Sequence, residues 1–293
     1  MILTLSHGPM TAAVDTHGGE LVSLRDGDGT EYIWHGDPAY WAGRNPILFP
    51  IVGALRNGTA RFRGRDIRLP RHGFARNMEF AVLQQEPDYV WLELRETADT
   101  LAQYPFPFRL TVEHALDRSG FYTSFTVFNP GDEPLPFCIG GHTAFRCPLR
   151  EGESFEDYQL VFDMKEKAAP IPVGPDGLLR HDPGAYIFQD RDTIPLRHEL
   201  FDRADTLIFD GLRSGRVRLV HKDTGRGVYV SFADFPMVAF WTPPGKNAPF
   251  VCVEPWRGCG AYEDDAGDFE KKPNVVIAEP GHYKHWTCRV DIL

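Results

Sequence analysis

The segment "FRLTVEHALDRSGFYTSFTVFN" (108–129) decides the fold class, because apolar and polar residues alternate along most of it. Its two halves, residues 108–117 and 121–129, are rich in the β-branched and aromatic side chains that favour strands. The stretch between them, "DRSG" (117–120), has the composition of a turn. The segment therefore predicts two consecutive β-strands separated by a turn.

The same pattern recurs along the chain and predicts a mainly β protein. Further strand-like runs lie at residues 89–97, 217–223, 227–234 and 237–243. The chain has 28 glycines and 24 prolines, which is unfavourable for long helices. We expect only two short helices, at residues 96–104 and 196–204. Strands without intervening helices favour a large antiparallel β-sandwich, and no linker is evident, so we predict a single domain over residues 1–293.

Two charged or polar regions, residues 150–195 and 257–275, are predicted to be surface excursions from this sandwich. The chain has 31 Lys and Arg against 41 Asp and Glu, a net charge of −10. Without a basic run, this balance disfavours binding to nucleic acid or to an anionic membrane. The five cysteines form no C-x-x-C pair, which disfavours a disulfide framework or a structural zinc site. We expect reduced thiols, no transmembrane segment and a cytoplasmic protein.

The segment "APFVCVEPWRG" (248–258) contains the first candidate for chemistry. We expect a strand ending at Pro255. A period of two places Phe250, Cys252 and Glu254 on one face and the two intervening valines on the other. A carboxylate on such a face is costly unless the face lines a cleft or the charge is paired. Burial in a cleft would raise the pKa of Glu254 and suit it to general-base catalysis, whereas the alternative is a strand-end glutamate bound to an arginine.

Two histidines are the other candidates. His142 lies in "GGHTAF" (140–145), where the glycines allow a close approach of backbone or ligand. It is either a proton-transfer group in a cleft or a hydrogen-bonded core histidine. His72, in "LPRHGFARNMEF" (69–80), is either a ligand contact or a solvated turn histidine. These residues are too far apart in sequence for a compact metal motif, and no P-loop, Rossmann fingerprint or nucleophile elbow occurs, so we predict no metal and no cofactor.

Several motifs in a fixed order resemble one known family. They are "GGELVSL" (18–24), "NPILFPIVGALRNG" (45–58), "LPRHGFAR" (69–76), "YPFPFRLTVEHAL" (104–116), "GGHTAF" (140–145) and "WTPPGKNAPFVCVEPWRG" (241–258). Together they resemble the aldose 1-epimerase (galactose mutarotase-like) family over nearly the whole chain. The resemblance implies a large antiparallel β-sandwich with a sugar site on a concave face. It also implies interconversion of the α and β anomers of an aldose without metal or cofactor.

The resemblance also implies roles for individual residues. His142 matches the general acid that protonates the ring oxygen O5, and Glu254 matches the base that takes the C1 hydroxyl proton. His72 matches a histidine that orients the sugar, and Asp205, in "RADTLIFDGL", matches a hydroxyl-binding aspartate. Aromatic residues suit the apolar face of a sugar ring, and Trp241 lies within the last motif.

One position departs from the family pattern. The resemblance leads us to expect an arginine directly after "LFPIVG", where this chain has Ala54. Arg56 follows two residues later, and strand alternation would keep it on the same face. Otherwise Arg44, Arg71 or Arg76 takes that role; among these we assign Arg76 to substrate binding.

Two alternative functions remain open at this point. One is epimerisation of a hexose 6-phosphate, which requires arginines around a dianion. The other is a sugar-binding or regulatory protein without turnover. In each case the expected partner is a small sugar, and the protein is a monomer or a homodimer.

Overall fold

The computed structural model of the protein describes residues 1–182 and 188–293. Within these residues the strands of the first half of the chain are β1 (Ile2–His7), β2 (Met10–Asp15), β3 (Glu20–Arg25), β4 (Thr59–Phe62), β5 (Arg65–Arg68), β6 (Ala81–Gln85), β7 (Tyr89–Arg95), β8 (Arg109–Leu116), β9 (Gly120–Phe128), β10 (Leu135–Phe137), β11 (Ile139–Gly140) and β12 (Thr143–Arg146). Those of the second half are β13 (Tyr158–Ala168), β14 (Phe188–Pro195), β15 (Thr206–Asp210), β16 (Arg216–His221), β17 (Gly227–Ser231), β18 (Met237–Trp241), β19 (Phe250–Arg257), β20 (Val276–Ala278) and β21 (Tyr283–Ile292).

The helices are short, as predicted. They are α1 (Ala98–Gln103) and α2 (His198–Ala204), and 3-10 turns lie at Arg56–Gly58, Ala75–Asn77, Phe155–Asp157 and Phe269–Lys271. Helix α1 begins after Thr97, whose side chain caps it in a reciprocal pair of hydrogen bonds with Thr100. No helix within residues 1–182 and 188–293 is long and apolar enough to cross a membrane.

The largest sheet of the described residues has nine antiparallel strands in the order β14-β13-β16-β17-β21-β9-β8-β7-β6. Strands β8 and β9 pair from Arg109–Phe128 to Leu116–Phe121, which confirms the two strands predicted for residues 108–129. The Asp117 carboxylate closes their turn by accepting the backbone N–H groups of Ser119 and Gly120 at 2.9 and 3.0 Å. Asp and Gly favour such turns for this reason.

A second sheet packs against the first and carries the residues of interest. Its strands follow the order β11-β19-β18-β15, and β12 pairs with β19 beyond β11. The rings of Phe162 on β13 and Phe240 on β18 lie 5.8 Å apart, across the two sheets. The mainly antiparallel β fold is therefore confirmed. Smaller sheets, β1-β2-β3, β4-β5 and β10-β20, complete the described part.

The prediction that residues 150–195 are a surface excursion is wrong for strands β13 and β14, which belong to the large sheet. Strand β13 pairs with both β14 and β16 in the large sheet. The second half of β13 is charged, and its pairing with β14 has a register shift between Val161 and Glu166. Glu166 is nevertheless buried, and its carboxylate accepts the backbone N–H of Ser214 at 2.8 Å. The charge therefore satisfies a buried backbone group, which composition alone does not reveal. Residues 183–187 of the predicted region lie outside the described residues.

Candidate active site

The face of the second sheet that is turned away from the main core collects polar and aromatic side chains. In the register of β18 and β19, Trp241 lies opposite Cys252 and Ala239 lies opposite Glu254. Since facing residues of a sheet point to the same side, Glu254 and Trp241 share one face. Phe250 and Cys252 pack with Trp34 on this face, whereas Val251 and Val253 belong to the main core. The predicted alternation along this strand is confirmed.

The prediction that the strand ends at Pro255 is wrong, because β19 continues to Arg257. The Pro255 carbonyl accepts the Gly141 N–H at 3.1 Å. In a strand, the backbone N–H and C=O of one residue point toward the same neighbouring strand. Proline has no N–H, and the side on which Pro255 lacks this donor faces the interruption between β11 and β12. A proline is tolerated there because the neighbouring strand is already broken.

This interruption places His142 beside Glu254. The pairs Gly140–Trp256 and Thr143–Val253 flank it, so His142 lies opposite Glu254 across two antiparallel strands. Its Nε2 lies 3.2 Å from Glu254 Oε2. The two residues are 7% and 1% exposed. The contact is close enough for an ion pair but is not aligned as a hydrogen bond, and His142 Nδ1 and Glu254 Oε2 have no hydrogen-bond partner among the described residues.

His142 differs from a satisfied core histidine. In this fold His114 has that role, because its Nδ1 contacts Thr123 Oγ1 at 3.0 Å and its Nε2 contacts the Gly19 carbonyl at 2.7 Å. His142 has neither contact and lines a cavity. Glu254 likewise has no arginine partner among the described residues, so the strand-end ion pair considered for it does not form.

Burial shifts the pKa of both groups toward their neutral forms. Burial raises the pKa of Glu254 well above its ordinary value; the Trp256 indole opposes this shift and the charge of Asp205 adds to it. Burial lowers the pKa of His142 to about 3, and the charge of Arg76 acts in the same direction. Burial thus favours the protonated carboxyl group of Glu254 over its carboxylate and the neutral imidazole of His142 over its imidazolium.

His72 is buried and held in a strained turn rather than solvated. Its φ is 66°. Its Nδ1 accepts the Gly53 N–H at 3.2 Å, so the proton of the neutral ring is on Nε2. Burial is the main cause that lowers its pKa well below the ordinary value. The charges of His142, Arg76 and Arg71 act in the same direction. The ring lies edge-on to His142, with centroids 5.7 Å apart.

These side chains surround one cavity of about 290 Å³. It is lined by six of the residues predicted from the sequence: His72, Arg76, His142, Asp205, Trp241 and Glu254. Residues 206 and 208 of β15 contribute the far wall. Trp41, which the sequence did not single out for the site, also lines it, and its ring lies 4.9 Å from that of His142. Trp241 lies 5.4 Å from Trp41, so two indoles border the polar pair.

Comparison with known proteins decides the family. A sequence model described as aldose 1-epimerase matches residues 1–289. The chain belongs to the aldose 1-epimerase family. It is 36% identical, over 96% of its length and 95% of the relative's, to the chromosomal protein LacX of Lactococcus lactis subsp. lactis.

Solved structures of this family share the fold. A galactose mutarotase related enzyme from Lactobacillus acidophilus has a TM-score of 0.94 and 30% identity, covering 100% of this chain and 97% of that one. A galactose mutarotase-like protein from Lactobacillus casei has a TM-score of 0.90 and 27% identity, covering 100% of both chains.

Arg56 does not take the place of the arginine expected from the family pattern, because it does not lie in a strand. Residues Arg56–Gly58 form a 3-10 turn, not a strand, with Asn57 at φ 55°. The Arg56 side chain is exposed and donates to the Asp265 carbonyl at 3.2 Å, away from the residues that line the cavity. The dipeptide Asn57-Gly58 is a turn signal that would have excluded the strand.

Arg71 and Arg76 occupy the cavity wall instead. Within the described part of the chain neither guanidinium has a hydrogen bond or an ion pair. Arg76 is half-buried, and burial lowers its pKa while the charge of Glu20 opposes that shift. Arg71 is exposed and lies against Gly177, where any Cβ would collide with its guanidinium. Two guanidinium groups that make no hydrogen bond or ion pair with residues 1–182 and 188–293 thus border the site.

The two glycines before His142 differ in their surroundings. A Cβ on Gly140 would lie 2.6 Å from the Pro255 carbonyl oxygen, so this glycine is required for the approach of β19. A Cβ on Gly141 would meet nothing within 4 Å. The close approach of backbone that the glycines of "GGHTAF" allow therefore occurs at Gly140, whereas Gly141 has open space beside it.

Proposed function

We propose that the protein is an aldose 1-epimerase that interconverts the α and β anomers of an aldose by acid-base ring opening and closure. The observation that carries this proposal is the His142–Glu254 pair, with Nε2 and Oε2 3.2 Å apart, buried in the wall of a cavity. An adjacent carboxyl group and imidazole can supply one proton donor and one proton acceptor.

The reaction needs no more than these two groups. As the C1–O5 bond breaks, O5 gains a proton and the C1 hydroxyl loses one, which leaves an open-chain aldehyde. Rotation about C1–C2 presents the other face of the carbonyl, and reclosure reverses both transfers. Each positioned acid or base contributes about 10²–10⁴-fold. We assign O5 protonation to His142 and removal of the C1 hydroxyl proton to Glu254. These roles require the Glu254 carboxyl proton to pass first to His142, whose Nε2 lies 3.2 Å from Oε2, so that an imidazolium and a carboxylate face the sugar.

The remaining lining residues would bind the sugar. His72 presents its Nε2–H as a donor, because Nδ1 is occupied by the Gly53 N–H. The Asp205 carboxylate is an acceptor for hydroxyl groups. Trp41 and Trp241 offer apolar ring faces or edges to the C–H side of the pyranose.

A specific observation favours a second candidate, an aldose that carries a phosphate. Arg71 and Arg76 line the cavity without a hydrogen bond or ion pair among the described residues, and a half-buried guanidinium without a hydrogen-bonded partner is costly. Arginine forks match a phosphate dianion in bidentate geometry. The same acid-base pair would then act on a hexose 6-phosphate.

The decisive experiment measures the anomeric relaxation of freshly dissolved α-glucose and α-galactose by polarimetry, and that of glucose 6-phosphate by exchange NMR. We expect acceleration by the native protein and a loss of about 10²-fold or more for His142→Asn and Glu254→Gln. Glu86→Gln, a change at an exposed turn, is the matched control and should retain full activity. Sugar binding without acceleration across the panel would instead support a non-catalytic binding protein.

Substitution of the arginines separates the two substrate classes. If the phosphate is bound by Arg71 and Arg76, replacement of either by alanine raises the KM for glucose 6-phosphate much more than that for glucose. Equal effects on both sugars would assign the arginines to a neutral substrate.

A further inference from the structure

We propose that the site also binds a zinc ion through His142, Cys252 and Glu254, and that zinc inhibits the enzyme by occupying its acid-base pair. One ligand atom from each of these buried residues lies within 4.8 Å of the other two. An imidazole nitrogen, a thiolate and a carboxylate are the three ligand types that zinc takes in proteins.

The geometry requires little movement. Zinc bonds of about 2.0–2.3 Å in a tetrahedron place neighbouring ligand atoms roughly 3.5 Å apart. The nitrogen of His142 and the oxygen of Glu254 are already 3.2 Å apart. Cys252 lies two residues before Glu254 on the same strand face, so its sulfur needs to move by about an ångström, within the reach of a χ1 change.

The ligand atoms are available. Glu254 Oε2, the oxygen that lies 3.2 Å from His142 Nε2, has no hydrogen-bond partner in the described residues. An unsatisfied buried polar group costs about 1–3 kcal/mol, which a bound ligand can relieve. His142 and Glu254 both line the cavity, so a fourth position is open to water or a sugar hydroxyl.

The charges of the three ligand groups favour a divalent cation such as zinc. One thiolate and one carboxylate neutralise a divalent ion, and a neutral complex suits a site from which water is largely excluded. Binding releases the thiol proton of Cys252 and the carboxyl proton of Glu254. Magnesium and calcium prefer all-oxygen sites, whereas a thiolate and an imidazole select zinc or cobalt.

Inhibition follows because the metal takes the electron pairs that the proton transfers require. This part rests on the proposed epimerase function, but metal binding itself does not. Cys252 does not line the cavity and has no part in the proposed proton transfers. Substitution of Cys252 therefore separates metal binding from catalysis.

The test titrates the protein with cobalt(II) chloride and zinc chloride. Cobalt should produce a thiolate-to-metal charge-transfer band that zinc abolishes, and Cys252→Ser should lack that band. In the anomer-exchange assay, Cys252→Ser should keep its activity while its zinc inhibition constant rises at least tenfold. Cys288→Ser, at a half-buried cysteine on another sheet, is the matched control and should respond to zinc as the native protein does.

Two results would overturn the zinc site: no thiolate band with cobalt, or equal zinc inhibition of the native protein and of Cys252→Ser and Cys252→Ala. Thermal unfolding of both variants excludes misfolding as the cause. A cobalt band in a protein without epimerase activity would retain the metal site and reject the proposed function, so the two failures are distinguishable.

Discussion

Glu254→Gln should remove activity and yet stabilise the protein at neutral pH. Glutamine keeps the shape of the side chain but cannot ionise. Glu254 is 1% exposed and its pKa is raised well above 4.5, with burial as the main cause. Its ionised form is therefore much less favourable in the folded state than in the unfolded state.

The sign and size follow from proton linkage. Below pH 4.5 the carboxyl group is protonated in both states and costs nothing. As pH rises further, the carboxyl group ionises first in the unfolded state. This stabilises the unfolded state relative to the folded state by about 1.4 kcal/mol per pH unit until the pH reaches the folded-state pKa. Native stability is lost over that window, whereas the glutamine variant loses none. At about pH 6.5, two units higher, the relative gain of Glu254→Gln has a ceiling of about 2.7 kcal/mol.

Urea unfolding of the native protein and the variant at about pH 4.5 and pH 6.5 measures this gain. Titrations common to both proteins cancel in the difference, and Glu86→Gln controls for the loss of an exposed charge. We expect the stability advantage of Glu254→Gln to grow between the two pH values. An advantage independent of pH, or a variant less stable at the higher pH, would refute the assignment of Glu254 as a buried carboxyl group with a raised pKa.

Three further outcomes are expected. Three buried histidines have lowered pKa values in the folded protein: His72, His114 and His142. Because the unfolded state then binds more protons, urea unfolding should show stability falling below about pH 6.5, by up to about 1.4 kcal/mol per histidine for each pH unit. Trp241→Ala should raise the KM for the aldose about tenfold in steady-state kinetics while changing kcat less, since it removes a ring that lines the cavity. In thermal unfolding, Gly140→Ala should lower Tm because its Cβ would contact the Pro255 carbonyl, whereas Gly141→Ala should unfold like the native protein.

The local pattern predicted the side-chain directions in the second sheet but not the neighbours of each strand. A period of two is enough to place Cys252 and Glu254 on one face. That His142 lies opposite Glu254 depends on the register of β12 against β19, which is a long-range pairing without a local signal. The pair itself was therefore anticipated only through the family resemblance.

Loops and turns carry the site residues whose positions the local sequence pattern does not predict. Arg56 was assigned by strand geometry to a stretch that is a turn. Trp41 and Arg71 reach the cavity from loops, whose direction depends on tertiary contacts. His72 and Asp205 also lie in or beside irregular backbone, with φ of 66° and 59°, and motif matches predicted their importance but not their geometry.

Buried charge was the other source of error. Glu166 lies within a run that reads as solvent-exposed, but its carboxylate binds backbone N–H groups inside the fold. Lys272, in a region predicted to be polar surface, is buried beside Asp265, with Nζ 3.5 Å from Oδ2. Composition reports charge but not the partner that makes its burial possible.

The central claim is that His142 and Glu254 act as one proton-transfer unit. Exchange NMR of the anomeric protons at equilibrium, with His142→Asn, Glu254→Gln and the double variant at equal concentrations, tests it most directly. Groups that act together are not additive. We predict that each single variant loses about 10²–10⁴-fold in exchange rate and that the double variant loses little more. Exchange that persists in either single variant, or losses that multiply in the double variant, would contradict the account.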